Sequence, residues 1–138
     1  MCAVLIIPQA LFDEMLAHLR GDLTQERCGL LAGVDGWVTR VLPVPNSLGS
    51  PWAYRMDGPE FIAAMKACDF EPLAIYHSHP SGPPTPSSTD VAEATYPDSY
   101  YVIVSFHVQP PSVRAFRIVA ERVSEVEITN DERRVLRR

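Results

Sequence analysis

Near the start of the chain, a continuous apolar run is followed by apolar residues at helical spacing. Ala3 to Ile7 is a continuous apolar run and predicts a buried strand. Pro8 suits the first turn of a helix, and Gly21 is typical of a helix end. His18 lies off the apolar stripe of this helix, so we expect its side chain to be solvated. The stripe itself predicts core residues: Leu11, Phe12, Met15, Leu16 and Leu19.

A β-hairpin and a second helix are predicted next. Arg27 to Ala32 and Trp37 to Val44 are strand candidates, and Asp35-Gly36 between them is a strong hairpin signal. Trp52 to Met56 predicts a further short strand. Asp57-Gly58-Pro59-Glu60 has the pattern of a capping box at a helix start. The apolar face of that helix would contain Phe61, Ile62, Met65 and Cys68.

The second half of the chain predicts four strands and one short helix. Leu73 to Tyr76 is an apolar run that leads into His77 and His79. A short helix is expected over Asp90 to Thr95, ended by Pro97. Three further strands follow: Tyr100 to Phe106, Val113 to Ala120 and Arg122 to Thr129. The pattern contains no repeat and no linker, so we expect one α/β domain over residues 1–138, with 131–138 as a frayed tail.

Charge and composition narrow the class of protein. The chain has 138 residues, of which 46% are apolar, enough for one hydrophobic core. Its formal net charge is −5, although the last eight residues hold four arginines and two acids. The rest of the chain is therefore more acidic still, which argues against a nucleic-acid partner.

Targeting and redox signals are weak. The N-terminal apolar run is too short for a membrane span and lacks the basic segment of a signal peptide, so we expect a cytoplasmic protein without a membrane partner. Cys2, Cys28 and Cys68 are odd in number and lack metal-type spacing. We therefore expect buried thiols rather than a disulfide framework.

The candidate chemistry lies around the two histidines. Side chains two residues apart on a strand point to the same face, so His77 and His79 can aim at one point. Asp90, in the first turn of the next helix, can supply a carboxylate. Three protein ligands with a fourth position left open are typical of a catalytic zinc site. The sequence predicts one zinc ion per chain, bound by these three residues.

Two other polar residues complete the predicted site. Glu26, at the entry of the hairpin, is the natural general base for an activated water molecule. Ser87 can donate a hydrogen bond to the oxygen that becomes negative in a tetrahedral intermediate. Simpler interpretations exist: Glu26 as a surface acid, and Ser87 with Asp90 as a helix N-cap. Each is plausible alone, but their coincidence with His-x-His favours a zinc hydrolase.

These residues resemble the JAMM motif of the MPN+ (Mov34/PAD-1-like) zinc metalloproteases. The resemblance rests on His77-Ser78-His79-Pro80, then Ser87 and Asp90, together with the upstream block Glu26-Arg27-Cys28-Gly29. It implies a curved mixed β-sheet flanked by helices, in a cytidine-deaminase-like architecture. It assigns the roles of metal ligand, general base and stabiliser to the same five residues.

The resemblance also implies a substrate. Members of this family hydrolyse peptide or isopeptide bonds at the C-terminus of ubiquitin-like proteins. Small free-standing members suggest trimming of ubiquitin-fold sulfur carriers, including removal of an added cysteine. Their extended, glycine-rich tails could bind by adding a strand beside the site.

Several different functions stay open at this point. A RadC-like protein of the same superfamily is disfavoured by the acidic balance and the Glu26 block. A cell-wall or phage-tail type peptidase is disfavoured by the lack of a wall-binding segment. A non-catalytic MPN scaffold is disfavoured because such proteins lack some of the ligands. The sequence leaves the oligomeric state open, a homodimer included.

Overall fold

The computed structural model describes residues 3–131, and the following elements lie within that range. Its strands and helices alternate along most of the chain. In order they are β1 (Val4–Ile6), α1 (Gln9–Arg20), β2 (Cys28–Val34), β3 (Trp37–Val44), α2 (Gly58–Ala67), β4 (Ala74–His79), α3 (Ser88–Ala92), β5 (Tyr100–Ser105), β6 (Ser112–Val119) and β7 (Arg122–Thr129).

The strands form one mixed sheet in the order β1-β3-β2-β4-β5-β6-β7. β1 is parallel to both of its neighbours, and β4 is parallel to β5, whereas the remaining pairs are antiparallel. The predicted curved mixed sheet is confirmed. Its curvature goes further than predicted, because β1 also pairs with β7 and closes the sheet into a barrel.

Each face of the sheet packs against a different helix. Met15 and Leu19 of α1 are buried against alternate strand residues such as Tyr76 and Val102. Met65 of α2 is buried against the opposite face, which includes Ile75. Because successive side chains of β4 alternate between these two cores, His77 and His79 emerge on the same face as Ile75, beside α2.

The hairpin between β2 and β3 follows its turn chemistry. Asp35 and Gly36 both adopt positive φ, 54° and 78°, as a two-residue turn of type I′ requires. The prediction of a hairpin at this dipeptide is confirmed. On β2 a bulge between Ala32 and Gly33 shifts the register just before the turn.

Five local predictions are wrong, and the first concerns His18, whose Nδ1 shares a 2.7 Å hydrogen bond with the hydroxyl of Tyr76 instead of being solvated. Trp52 to Met56 forms no strand, because Arg55 N–H binds the Asn46 side chain and the carbonyl of Arg55 accepts from Ser47. The predicted capping box at the start of α2 is absent, because the Asp57 side chain makes no capping hydrogen bond. Ile62, predicted on the apolar face of this helix, is 51% exposed. The short helix begins at Ser88 and ends at Ala92, earlier than the predicted 90–95, because Ser87 is its N-cap.

The remaining expectations have mixed outcomes. Cys28 is buried and Cys68 half-buried, and both are free thiols; Cys2 lies outside the described residues, as does the predicted frayed tail apart from Asp131. Within the described range, no helix has both the length and the apolar character that a bilayer crossing needs. The extent of the domain over 1–138 stays a prediction.

Candidate metal centre

β4 and the residues just before β2 bring the first three side chains together. His77 pairs with Cys28 across the antiparallel β2–β4 ladder. Continuing that register by two residues sets Glu26 opposite His79, and Glu26 Oε2 lies 3.9 Å from His79 Nε2. Glu26 and both histidines are buried, with 6% exposure at most.

Ser78, between the two histidines, joins the strand segments at this end of the ladder. Its side chain points to the opposite face, where its Oγ accepts the backbone N–H of Arg27 at 2.9 Å. Its own N–H donates to the carbonyl oxygen of Arg27 at 3.0 Å. Ser78 is fully buried. These two bonds fix the backbone next to Glu26 relative to the backbone of the histidines.

The carboxylate of the site belongs to Asp90, which lies in the first turn of α3. Ser87 Oγ accepts the N–H of Asp90 at 3.0 Å, and Asp90 Oδ2 accepts the N–H of Ser87 at 2.9 Å. This reciprocal pair is a capping box, with an aspartate in the position more often occupied by glutamate or glutamine. The N-cap interpretation of these residues is therefore correct as local structure, and it leaves Asp90 Oδ2 directed at the histidines.

Three donor atoms form a nearly equilateral triangle. His77 Nε2 and His79 Nε2 are 3.1 Å apart, and Asp90 Oδ2 lies 3.2 Å and 3.1 Å from them, respectively. We call these three residues the His–Asp cluster. With Glu26, they place one ligand atom each within 4.8 Å of one another. The structure thus brings together four of the five residues singled out from the sequence, and their roles stay predictions.

Hydrogen bonding fixes the tautomer of one imidazole. His79 Nδ1 lies 2.7 Å from the carbonyl oxygen of Pro83. A carbonyl can only accept, so Nδ1 carries the proton and Nε2 presents a lone pair to the centre of the cluster. In the second imidazole, His77 Nδ1 is buried without a hydrogen-bond partner among the described residues. The ring of Tyr54 stacks on His77, with centroids 4.4 Å apart.

Burial and the contacts among the four side chains together set the electrostatics of the site. Burial raises the pKa of Glu26 to about 8, with His79 opposing the shift and Asp90 adding to it. It also lowers the pKa of His77, partly offset by Asp90. Burial lowers the pKa of His79 as well, but contacts with Asp90, Pro83 and Glu26 outweigh it, and the net shift is upward. Burial would raise the pKa of Asp90, but interactions with His77, His79 and the N–H of Ser87 outweigh it and hold that pKa far below the usual range.

The donor set fits a divalent metal ion. Ligands in a tetrahedron with bonds of about 2.0–2.1 Å lie about 3.3 Å apart, close to the sides of the triangle formed by the three donor atoms. The donors are two imidazole nitrogens and one carboxylate oxygen, while Glu26 is set back and keeps a buried Oε1 without a partner among the described residues. Three ligands with an acid beside the open position can bind a metal ion and manage the proton of a water molecule.

Sequence reasoning missed three residues around this centre. Trp52 and Tyr54 lie in a predicted strand, and Asn46 has no predicted role in the site. Asn46 Nδ2 donates to the carbonyl oxygens of Glu26, at 2.8 Å, and Ala53, at 3.0 Å. The only available signal was Asn46 itself, a residue that often binds backbone groups in loops. Its partners could not be read from the chain.

Comparison with known proteins identifies the family. A sequence model of the prokaryotic homologues of the JAB domain matches residues 8–119. The chain belongs to this family. The resemblance inferred from the His77–Asp90 motif is therefore confirmed at the level of the prokaryotic JAB family.

Two relatives of this JAB-family chain have named activities. The CysO-cysteine peptidase of Mycobacterium tuberculosis is 42% identical over 130 residues, covering 88% of each chain. A probable TtuB-protein conjugate cleaving protease of Thermus thermophilus is 43% identical over 103 residues, covering 72% of this chain and 69% of the relative.

Solved structures agree with the fold. The solution structure of a Desulfitobacterium hafniense protein is 36% identical, with a TM-score of 0.80 and 91% of each chain covered. A JAB1/MPN domain protein from Archaeoglobus fulgidus is 20% identical, with a TM-score of 0.60, and covers 91% of this chain and 98% of its own. The second likeness concerns the fold alone, and it supports the predicted JAB/MPN architecture.

Proposed function

We propose that this chain is a zinc-dependent peptidase that cleaves at the C-terminus of a ubiquitin-like sulfur-carrier protein. The observation that carries the proposal is the convergence of the His–Asp cluster with a buried Glu26 in a JAB-family fold. The names of the two relatives, one a CysO-cysteine peptidase and the other a probable TtuB-protein conjugate cleaving protease, support a modifier-type substrate.

Zinc suits the site better than a hard cation does. Zinc binds imidazole nitrogen and carboxylate oxygen in tetrahedral sites, whereas Mg²⁺ and Ca²⁺ prefer six or more oxygen ligands. We assign His77, His79 and Asp90 as the ligands, because within the four-residue group they form with Glu26 these three lie at mutual distances of 3.1–3.2 Å. The carbonyl of Pro83 orients one ligand, and the capping box orients another.

Different groups of the site transfer the proton and stabilise the developing negative charge. When bound, zinc would lower the pKa of water and polarise the substrate carbonyl. Glu26 accepts the proton of the attacking water and passes it to the departing amine. A cation beside Glu26 would lower its pKa from about 8, the value that burial, His79 and Asp90 together produce, and would make the carboxylate available as a base near neutral pH.

Ser87 is placed to stabilise the developing negative charge. Its Oγ accepts the N–H of Asp90, so the hydroxyl hydrogen remains available to donate. Ser87 lines the same cavity as Glu26 and His79. In this position the hydroxyl can donate to the carbonyl oxygen of the scissile bond as that oxygen becomes anionic.

The direct test uses intact-mass spectrometry. The zinc-loaded protein is incubated with ubiquitin-fold proteins of the same cell, each carrying either a C-terminal cysteine or an isopeptide-linked lysine peptide. We expect loss of the added group from at least one of them, suppression by a chelator and recovery when zinc is returned. Unchanged masses for all candidates, with zinc bound, would contradict the proposal and favour the non-catalytic MPN scaffold.

A RadC-like role and a cell-wall or phage-tail role are both less well supported than cleavage of a modifier protein. The CysO-cysteine peptidase and the TtuB-conjugate protease are peptidases of protein substrates, which favours their branch of the superfamily. We place the enzyme in the cytoplasm, where ubiquitin-like sulfur carriers would be met. The four clustered side chains all come from one chain, so the proposed chemistry needs no second copy, and a homodimer stays a prediction.

A further inference from the structure

Two cavities flank the His–Asp cluster, and they differ in which catalytic group they contain. One, of about 340 Å³, is lined by Asp90, Tyr54 and Tyr101 but not by Glu26. The other, of about 280 Å³, is lined by Glu26, His79 and Ser87. The second cavity therefore contains both the proposed proton carrier and the proposed oxyanion donor.

The position of Glu26 distinguishes the two sides of a bound substrate. In the proposed reaction, which this inference takes as given, the C–N bond breaks and the departing nitrogen receives a proton from Glu26. A general acid must lie within hydrogen-bond reach of the atom that it protonates. The departing amine, and the residue attached to it, must therefore occupy the cavity that Glu26 lines.

The walls of this leaving-group cavity are apolar and stiff. They include Trp52 and four prolines: Pro51, Pro80, Pro83 and Pro86. None of the described residues that line the cavity is a lysine or an arginine, and the acid Glu26 is among them. A negatively charged side chain would therefore find no cationic partner in the protein wall, whereas an uncharged stem could pack on the indole and the proline rings.

The loop that presents Trp52 is tied directly to the general base. Glu26 N–H donates to the carbonyl oxygen of Ser50 at 2.8 Å, and Asn46 bridges Glu26 and Ala53 through their carbonyl oxygens. Trp52 N–H donates to Ser50 Oγ at 3.1 Å. The backbone that carries the indole is thus fixed relative to Glu26, and 72% of the residue's surface is exposed. An exposed but anchored tryptophan beside a catalytic acid is well suited to hold part of a substrate.

We propose that Trp52 and the facing proline loop form the leaving-group subsite, and that Trp52 selects leaving groups by their uncharged stems. The leaving groups that fit this subsite share a thiol-bearing or aliphatic chain attached to the departing amine. Two residues can provide such a chain: a C-terminal cysteine, released through its α-amine, and an isopeptide-linked lysine, released through its ε-amine. An aspartate at the same position is disfavoured.

The first test compares leaving groups on one ubiquitin-fold carrier. Its C-terminal glycine is extended by cysteine, by aspartate, or by an isopeptide-linked lysine peptide, and kcat/KM is measured for each. We expect Trp52→Ala to reduce kcat/KM about tenfold for the cysteine substrate, the lysine substrate or both, corresponding to about 1.4 kcal/mol. The aspartate substrate should change little, and Trp52→Phe should retain most of the preference.

Phe70→Ala is the matched control, because Phe70 is also an exposed aromatic residue, 59% exposed, and lies outside this cavity. The substrate whose kcat/KM falls most in Trp52→Ala identifies the natural leaving group, cysteine or lysine. An equal loss on all three substrates, or no loss on any, would overturn the assignment of Trp52. If the parent protein cleaves none of them, the proposed function fails instead, so the two failures are distinguishable.

The second test measures binding without turnover. In a Glu26→Gln background, a tryptophan-free cysteine-extended carrier is added and the emission of the protein's two tryptophans is recorded. We expect a change in emission that disappears when Trp52→Phe is introduced and persists with Phe70→Ala. Saturable binding without any emission change from Trp52 would also overturn the proposal.

Discussion

Asp90 Oδ2 accepts the backbone N–H of Ser87 while lying 3.1 Å from His79 Nε2. One oxygen atom therefore serves both the helix cap and the His–Asp cluster. Ser87 completes the arrangement by accepting the N–H of Asp90. The carboxylate is consequently held in place by the start of α3 before any metal ion binds.

Replacing Ser87 separates its capping role from its proposed catalytic role. Ser87→Ala removes the N-cap and should lower the free energy of unfolding by about 0.5–2 kcal/mol. It should also lower kcat by about 10²–10³, because one oxyanion donor is lost. Ser87→Thr keeps a hydroxyl and should recover much of both. Urea unfolding and steady-state kinetics measure the two effects, and a loss of stability alone would remove Ser87 from the mechanism.

Glu26→Gln tests the general base. The amide has nearly the same shape but cannot accept and return a proton, so cleavage should fall by several orders of magnitude. Zinc content and the unfolding midpoint should stay near the parental values, because Glu26 Oε2 lies 3.9 Å from the nearest cluster nitrogen. Glu71→Gln, at an exposed acid, is the control. A fully active Glu26→Gln protein would rule out the proposed proton path.

His77→Ala should release the metal ion. The substitution removes one of three ligands from a buried site, and metal content by mass spectrometry should drop well below one zinc per chain. His107→Ala is the matched control, since His107 is exposed and outside the cluster. Undiminished zinc in the purified His77→Ala protein would show that this residue is not a ligand.

Ser78→Ala tests whether the hydrogen bonds between Ser78 and Arg27 position Glu26. The half-buried N–H of Arg27 would lose its side-chain acceptor, at a cost of about 1 kcal/mol in stability. We also expect a lower kcat with unchanged zinc content and little change in KM.

Ser99→Ala is the control for Ser78→Ala. Ser99 is another buried serine that bonds a backbone group, with its Oγ donating to the Pro72 carbonyl oxygen, away from the site. It should cost stability without lowering kcat. Similar losses of kcat in both variants would mean that Ser78 acts only through stability.

His18 should make stability depend on pH. Burial and the nearby Arg27 lower the pKa of His18 to about 4 in the folded protein, against 6.5 for the ordinary side chain. Between these pH values the unfolded chain binds a proton that the folded chain does not, so stability is full above pH 6.5 and falls towards pH 4. After allowance for its half-exposed position, the effect should be about 1–2 kcal/mol.

The check on His18 is the difference between the parent and His18→Gln in urea unfolding at pH 7.5 and pH 4.5. We expect a smaller loss of stability on acidification in the variant, because the titrating group has been removed. Identical losses in the two proteins would show that His18 is not responsible. The expectation of a solvated His18 is wrong, since its Nδ1 shares a 2.7 Å hydrogen bond with the hydroxyl of Tyr76.

Local patterns predicted the local parts of the site. Alternation along β4 placed His77 and His79 on one face, and the three-residue spacing from Ser87 to Asp90 predicted their cap. Glu26 is different, because it lies far from the histidines along the chain. Its approach depends on the β2–β4 register, which no short-range pattern fixes. The family resemblance provided independent support for that residue.

One error occurred where a side chain takes the place of a sheet hydrogen bond. Trp52, Tyr54 and Met56 alternate as in a strand, but Asn46 Oδ1 takes the N–H of Arg55 that a neighbouring strand would have used. The closure of the barrel was also missed. β1 has only three residues, and its pairing with β7 depends on the curvature of the whole sheet.

Barrel closure has a consequence for how the protein is made. Val4 to Ile6 pair with Glu127 to Thr129, at nearly opposite ends of the chain. During translation the first strand leaves the ribosome long before its parallel neighbour β7 exists, and until then the growing sheet has open edges. Completion of the barrel must await synthesis of β7, and a chain stopped before that strand would expose the flanks of both β1 and β6 to self-association.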